Sequence, residues 1–135
     1  IAGRVAVELA KLDGTAVKGA KILILGVAYK KNIEDTRESP ALAILNRLEE
    51  MGAACDYHDP YFPTMPLTRD HPHLAGRISV QLTAQTVGSY DAVIVTTDHT
   101  DVDYELIGKT ATLILDTRNV FDGKDRGGSG RYVKI

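Results

Sequence analysis

The chain has 135 residues, a quarter of them charged, and 16 basic against 18 acidic side chains leave a net charge of −2. That balance supplies no basic field to attract nucleic acid, and without Trp there is little aromatic surface for stacking bases. A single cysteine excludes an internal disulfide and fits a reducing cytoplasm, and no apolar run nears the ~20 residues that cross a membrane. The length suffices for one domain with its own core. No signal peptide is evident, and Ile1 in place of an initiator Met suggests a fragment or a processed chain.

Residues 1–12 place Val5, Leu9 and Leu12 on one side of a helix, which Asp13-Gly14 ends. Lys21-Ile-Leu-Ile-Leu25, between Gly19 and Gly26, reads as a strand buried on both faces. A charged loop follows, and then Ala41–Met51 has helical periodicity. Ser39 suits its N-cap, Pro40 its first position and Gly52 its C-terminal stop. Ala53–His58 reads as the second strand, ended by Asp59-Pro60. From 60 to 76 the chain carries Pro60, Pro63, Pro66 and Pro72 and reads as an irregular excursion. Arg77–Val80 is expected as a short third strand at an edge, and Thr83–Ser89 as a short helix. Asp91–Thr96 is the fourth strand, Val102–Ile107 a short helix stopped by Gly108, and Ala111–Leu115 the fifth strand. The glycine-rich, charged stretch from Asp122 onward is expected to be mobile.

Buried strands alternating with helices predict a doubly wound, Rossmann-like α/β fold, with a mostly parallel five-stranded sheet and helices on both faces. The expected strand order is 3-2-1-4-5. It would line one crevice with residues 27–31, 97–101 and 117–119, where Lys30 and Arg118 meet.

The loop from Val27 to Glu38 is the informative stretch. Strand-to-helix turns in such folds usually need about two to six residues. This one is longer and carries Lys30, Lys31, Glu34, Asp35, Arg37 and Glu38. A ligand-facing loop explains its length and position better than a solvated surface loop. It lacks the glycine cradle for a dinucleotide pyrophosphate, since Ala28 and Lys31 occupy the second and third glycine positions. Lys30 and Arg37 offer charge suited to phosphates held by ion pairing.

Gly26-Val-Ala-Tyr-Lys30, Asp35-Thr-Arg-Glu-Ser-Pro40, Tyr57-His-Asp-Pro-Tyr61 and Asp116-Thr-Arg-Asn119 together resemble the UDP-glucose/GDP-mannose dehydrogenase family. The likeness is to its C-terminal, UDP-binding domain, and nearest to the bacterial UDP-N-acetylglucosamine 6-dehydrogenases. It implies three parts: the end of an interdomain linker helix (1–17), the nucleotide-sugar-binding domain (18–124) and a flexible tail (125–135). The complete enzyme would oxidise a UDP-sugar twice to a uronic acid through a cysteine thioester. It would use NAD, held mainly by an N-terminal domain of the same parent chain, and act in the cytoplasm as a homodimer in polysaccharide biosynthesis. Tyr29, Lys30 and Arg118 would contact the nucleotide sugar, and Arg37 would face NAD.

The bland readings of these residues are specific. Lys30 could reach solvent, Arg118 could pair with Asp116 or Asp98, and Arg37 could pair with Asp35 or Glu34. Cys55 matches no catalytic cysteine motif and reads as a small core residue, so no catalytic residue is expected here. His71-Pro-His73 is too sparse for a metal site. His99 could touch ligand or bond to Asp98 or Asp101. The competing functional class is a non-enzymatic flavodoxin-like or receiver-type module. Against it, the first strand ends without a carboxylate and the last ends in Asp116 rather than a lysine.

Overall fold

The computed structural model describes residues 2–10, 16–28, 39–121, 128 and 130–134. Helix α1 spans Ala2–Ala10, β1 Lys21–Leu25, α2 Pro40–Glu50 and β2 Ala54–His58. Then come α3 (Ala84–Gly88), β3 (Ala92–Val95), α4 (Tyr104–Thr110), β4 (Leu113–Asp116) and β5 (Arg131–Lys134). The strands form one sheet in the order β2-β1-β3-β4-β5, and every neighbouring pair is parallel.

Alternation along the strands divides the core in two. Ile22, Ile24, Cys55, Tyr57, Ala92, Ile94, Leu113 and Leu115 face Val5 of α1 and Ala41, Leu42, Leu45 and Leu48 of α2. Leu23, Leu25, Val93, Val95 and Ile114 face Val87 of α3 and Ile107 of α4. Both faces are covered at β1, β3 and β4, which is why those strands read as nearly unbroken apolar runs.

Local signals set α2. The Ser39 hydroxyl accepts from the Ala41 N–H, Pro40 opens the helix, and Gly52 follows it with φ +96°. Helix α4 runs further than expected. Asp103 caps it by accepting from the Leu106 N–H, and Gly108 lies buried inside it rather than ending it.

The expected third strand, residues 77–80, is not a strand. Its backbone pairs with the excursion instead: Met65 N–H bonds to Arg77 O, Ser79 N–H to Pro63 O, and Ile78 forms an isolated bridge with Thr64. Toward β2 it makes one backbone bond, from the Val80 N–H to the Tyr57 carbonyl, besides side-chain bonds of Tyr57 and His58 to the Arg77 and Val80 carbonyls. The order 3-2-1-4-5 is corrected accordingly. The fifth strand comes from residues 131–134, which the sequence placed in a flexible tail. Tyr132 donates to Asp116 and meets Phe121 edge-to-face, and Phe121 meets Tyr104 in the same way. The glycines there serve close approach: a Cβ on Gly128 would lie 2.8 Å from the Lys109 carbonyl oxygen, and one on Gly130 would collide with the Ala111 carbonyl.

Arg131 also binds α1. Its guanidinium meets both oxygens of Glu8, a side chain only 1% exposed, at 3.1 and 3.2 Å. Removing one partner of a buried pair costs ~3–5 kcal/mol, and the one-third exposure of Arg131 lowers that here. Arg131→Ala is expected to destabilise the domain by about 2 kcal/mol in urea unfolding. A midpoint unchanged from wild type would show that the latch carries no net stability. Among the described residues no helix is long and apolar enough to cross a membrane.

Candidate functional site

All five strands end at one edge of the sheet, at Leu25, His58, Val95, Asp116 and Lys134. The chain leaves β1 toward β2 and returns to β1's other side as β3. The crevice of an open α/β sheet lies at such a reversal, outside the carboxyl ends of the strands. The turns that meet there are 26–28, 96–101 and 117–119.

Hydroxyls tie these turns together. Thr96 Oγ1 donates to the carbonyls of Leu25 and Gly26, Thr97 Oγ1 to Ala28 O at 2.9 Å, and Thr117 Oγ1 to Val95 O at 2.6 Å. Each fixes the end of one strand against its neighbour, so the crevice walls are held by buried bonds rather than by loop packing alone.

Behind the crevice, the end of β2 contributes Asp59, which is 1% exposed. Its Oδ2 accepts from the Val27 N–H and from His99 Nε2, both at 2.8 Å, and its Oδ1 accepts from the Tyr61 N–H at 2.8 Å. Burial pushes this carboxyl up, but the bonds from His99, Val27 and Tyr61 outweigh it and leave its pKa below the ordinary value. Such a group adds stability above its unfolded-state pKa of ~3.9, and that stability is lost as pH falls through the lower folded value. His99 is fully buried, stacks on Tyr61, and accepts at its own carbonyl from the Tyr104 hydroxyl. Burial, with Asp98, Asp116 and Asp59 nearby, holds the Tyr104 phenol well above its usual range, so it stays protonated as a donor.

Asp98, His99, Thr100, Tyr104, Arg118, Asn119 and Val120 line an open cleft of about 340 Å³. Arg118 follows β4. Its backbone N–H is held by Asp116 Oδ1 at 2.9 Å, and its Nε donates to Thr96 O at 3.0 Å. Asn119, with φ +63°, turns the chain away. The planar, permanently charged fork of an arginine suits paired oxygens of phosphate or carboxylate.

Of the residues read from sequence, Arg118 stands in this cleft. Tyr29, Lys30 and Arg37 lie outside the described residues. Arg118 engages Asp116 through its backbone and Thr96 through its side chain, in place of the ion pairs considered for it. His99 bonds to Asp59 rather than to Asp98 or Asp101. Cys55 is buried, and burial, followed by Glu49, pushes its thiol up to about 12, which leaves it an unreactive core residue. His73 bonds to Asn46. Among the described residues no group of three or more His, Cys, Asp or Glu side chains could hold a metal. The sequence reading missed Asp59 and Tyr104. Asp59-Pro60 reads from sequence as a strand stop within the Tyr57–Tyr61 motif, with no role for its carboxylate, although a carboxylate at a strand end is also a signal for a site.

This is the architecture of a doubly wound domain that presents a braced guanidinium, Arg118, in the crevice at the carboxyl end of its sheet. Over residues 23–123 the chain matches the UDP binding domain of the UDP-glucose/GDP-mannose dehydrogenase family, and it belongs to that family. It is 31% identical to a UDP-N-acetyl-D-mannosamine dehydrogenase of Methanococcus maripaludis, over 94% of this chain and 29% of the relative. It is 30% identical to a UDP-glucose 6-dehydrogenase of Bacillus subtilis, over 85% of this chain and 25% of the relative. The solved UDP-D-ManNAc dehydrogenase of Pyrococcus horikoshii superposes with a TM-score of 0.68 at 27% identity, covering 98% of this chain and 29% of that one. The chain thus spans between a quarter and three tenths of the length of these relatives. They are named for N-acetylmannosamine and glucose, two of the sugars the sequence left open, while its nearest likeness had been to the N-acetylglucosamine enzymes.

Proposed function

We propose that this chain is the nucleotide-sugar-binding domain of an NAD-dependent UDP-sugar 6-dehydrogenase. The observation that carries the reading is Arg118, braced by Thr96 and Asp116 in a cleft at the β1/β3 reversal, within the matched UDP binding domain. Arg118, with Tyr29 and Lys30 from the β1 loop, would hold the UDP-sugar. Binding energy realised here would position the sugar's terminal carbon for a twofold oxidation to a uronic acid, carried out by groups outside this chain.

The described part of the β1 turn does not suit NAD. The Gly26 N–H is bonded to the His58 carbonyl and the Val27 N–H to Asp59, so neither donor is open to a pyrophosphate. NAD is therefore assigned to the N-terminal domain of the parent chain, with Arg37 reaching it across the interdomain cleft. A cytoplasmic homodimer fits this role.

The test has two parts. The isolated domain is expected to fold and to produce no NADH from UDP-glucose, UDP-N-acetylglucosamine or UDP-N-acetylmannosamine with NAD. In the full-length protein, Arg37→Ala is expected to raise KM for NAD more than KM for the sugar nucleotide. Direct NAD binding must agree, because KM equals a dissociation constant only when chemistry is slow. NADH formation by the isolated domain would overturn the division of labour. Loss of UDP affinity with NAD affinity intact would reassign Arg37. A full-length protein with no affinity for UDP would end the reading.

A further inference from the structure

The β1 loop leaves and returns at one point. The Ala28 carbonyl, where the loop departs, accepts from Thr97 Oγ1 at 2.9 Å and from Ser39 Oγ at 3.3 Å, and Ser39 is where the chain re-enters α2. Loops whose ends meet in this way are often functional. One residue earlier, the Val27 N–H is held by Asp59. Asp59 belongs to the end of β2, outside the β1/β3 crevice, and it also holds His99 of the β3 loop, a residue of the Arg118 cleft.

We propose that Asp59 is a positioning residue for the nucleotide site: with His99 it locks the start of the β1 loop against the β3 loop, and so sets the spacing of the groups that grip the ligand. The proposal rests on the binding role above. Asp59 touches no part of the cleft surface itself; it acts through Val27 and His99.

The chemistry requires a carboxylate. Two donors converge on Oδ2 and a third on Oδ1. A carboxylate only accepts, so the hydrogen on His99 lies on Nε2. An asparagine fails in either amide orientation. Its NH₂ would face the Tyr61 N–H in one, and the Val27 N–H and His99 Nε2 in the other. A side-chain amide at position 99 distinguishes the donor from the ring, because glutamine can present an N–H near the position of Nε2 and alanine cannot.

The experiment is UDP titration calorimetry on the full-length protein and its Asp59→Asn, His99→Gln and His99→Ala variants, each well below its melting temperature. Small misplacements of binding groups have large effects, so Asp59→Asn and His99→Ala are expected to weaken UDP about tenfold with helical circular dichroism retained. His99→Gln should stay within about threefold of wild type. Should Asp59→Asn fail to fold, the His99 pair carries the test. Wild-type UDP affinity in His99→Ala, or equal losses in His99→Gln and His99→Ala, would overturn the proposal while leaving the binding role intact. Absence of UDP binding by the wild type would remove both. In addition, imidazole ¹⁵N shifts in the isolated domain should show His99 protonated on Nε2, and a bare Nε2 would overturn the assignment.

Discussion

Gly26→Ala is expected to lower the melting temperature by about 10 °C, as the cost of about 3 kcal/mol from strain and overpacking predicts for a domain of this size. Two independent effects act at this position. Gly26 has φ +91°, where an L side chain is strained. An added Cβ would also strike the Cβ of Thr97 and lie 2.8 Å from its carbonyl oxygen and 2.9 Å from its Cα. Backbone atoms cannot rotate away as a flexible side chain can. Retreat is blocked as well, because the Gly26 N–H bonds to His58 O and its carbonyl accepts from Thr96 Oγ1. The strands β1 and β3 would have to separate at the crevice itself. Gly19→Ala is the control: φ is +84°, but nothing lies within 4 Å of its Cβ, so only the ~1 kcal/mol backbone term applies. If calorimetry found both variants equally stable, the tight junction of β1 with β3 would not be a structural requirement. UDP affinity should fall in Gly26→Ala and not in Gly19→Ala, because only the first lies at the site.

Elements with local signals were legible in the sequence. Lys21–Leu25 is short, apolar and bounded by glycines, and Ser39-Pro40 with Gly52 marks both ends of α2. The crevice was legible too, since it follows from the alternation of strands and helices. What failed depended on distant partners. Arg77–Val80 has the residues of an edge strand, but the Arg77 carbonyl and the Ser79 N–H pair with Met65 and Pro63, and prolines hid that pairing. Arg131–Lys134 looked like a tail because Gly127, Gly128 and Gly130 suggest freedom. Gly128 and Gly130 are instead required by the backbone they approach at the end of α4. The His99–Asp59 pair joins residues 40 apart in sequence, a contact that charge and spacing could not single out. Arg118 stood out as a candidate from its place after a buried strand and from the family resemblance, while its brace on the Thr96 carbonyl required the fold.

Arg118→Ala is expected to weaken UDP binding to the full-length protein at least tenfold. Hydrogen bonds to charged groups contribute ~1.5–3 kcal/mol, and each 1.4 kcal/mol is a factor of ten. The geometry explains why the fork is available. Asp116 fixes the backbone of Arg118, and Thr96 O engages Nε alone, so the two terminal nitrogens carry no bond among the described residues. A guanidinium held by its inner nitrogen presents its outer pair to a phosphate at little entropic cost. Arg118→Lys should not restore affinity. Lysine keeps the charge but has neither the inner donor for Thr96 nor the planar fork. Lys30→Ala is expected to fall on the same tenfold scale, because an ammonium pairs with phosphate as a point charge. The brace itself is a single bond worth about 1 kcal/mol, so Arg118→Ala should cost the fold little. A variant that melted lower yet bound UDP as tightly as wild type would reduce Arg118 to a strand clamp. A variant that folded normally and lost UDP would place the fork on the phosphates.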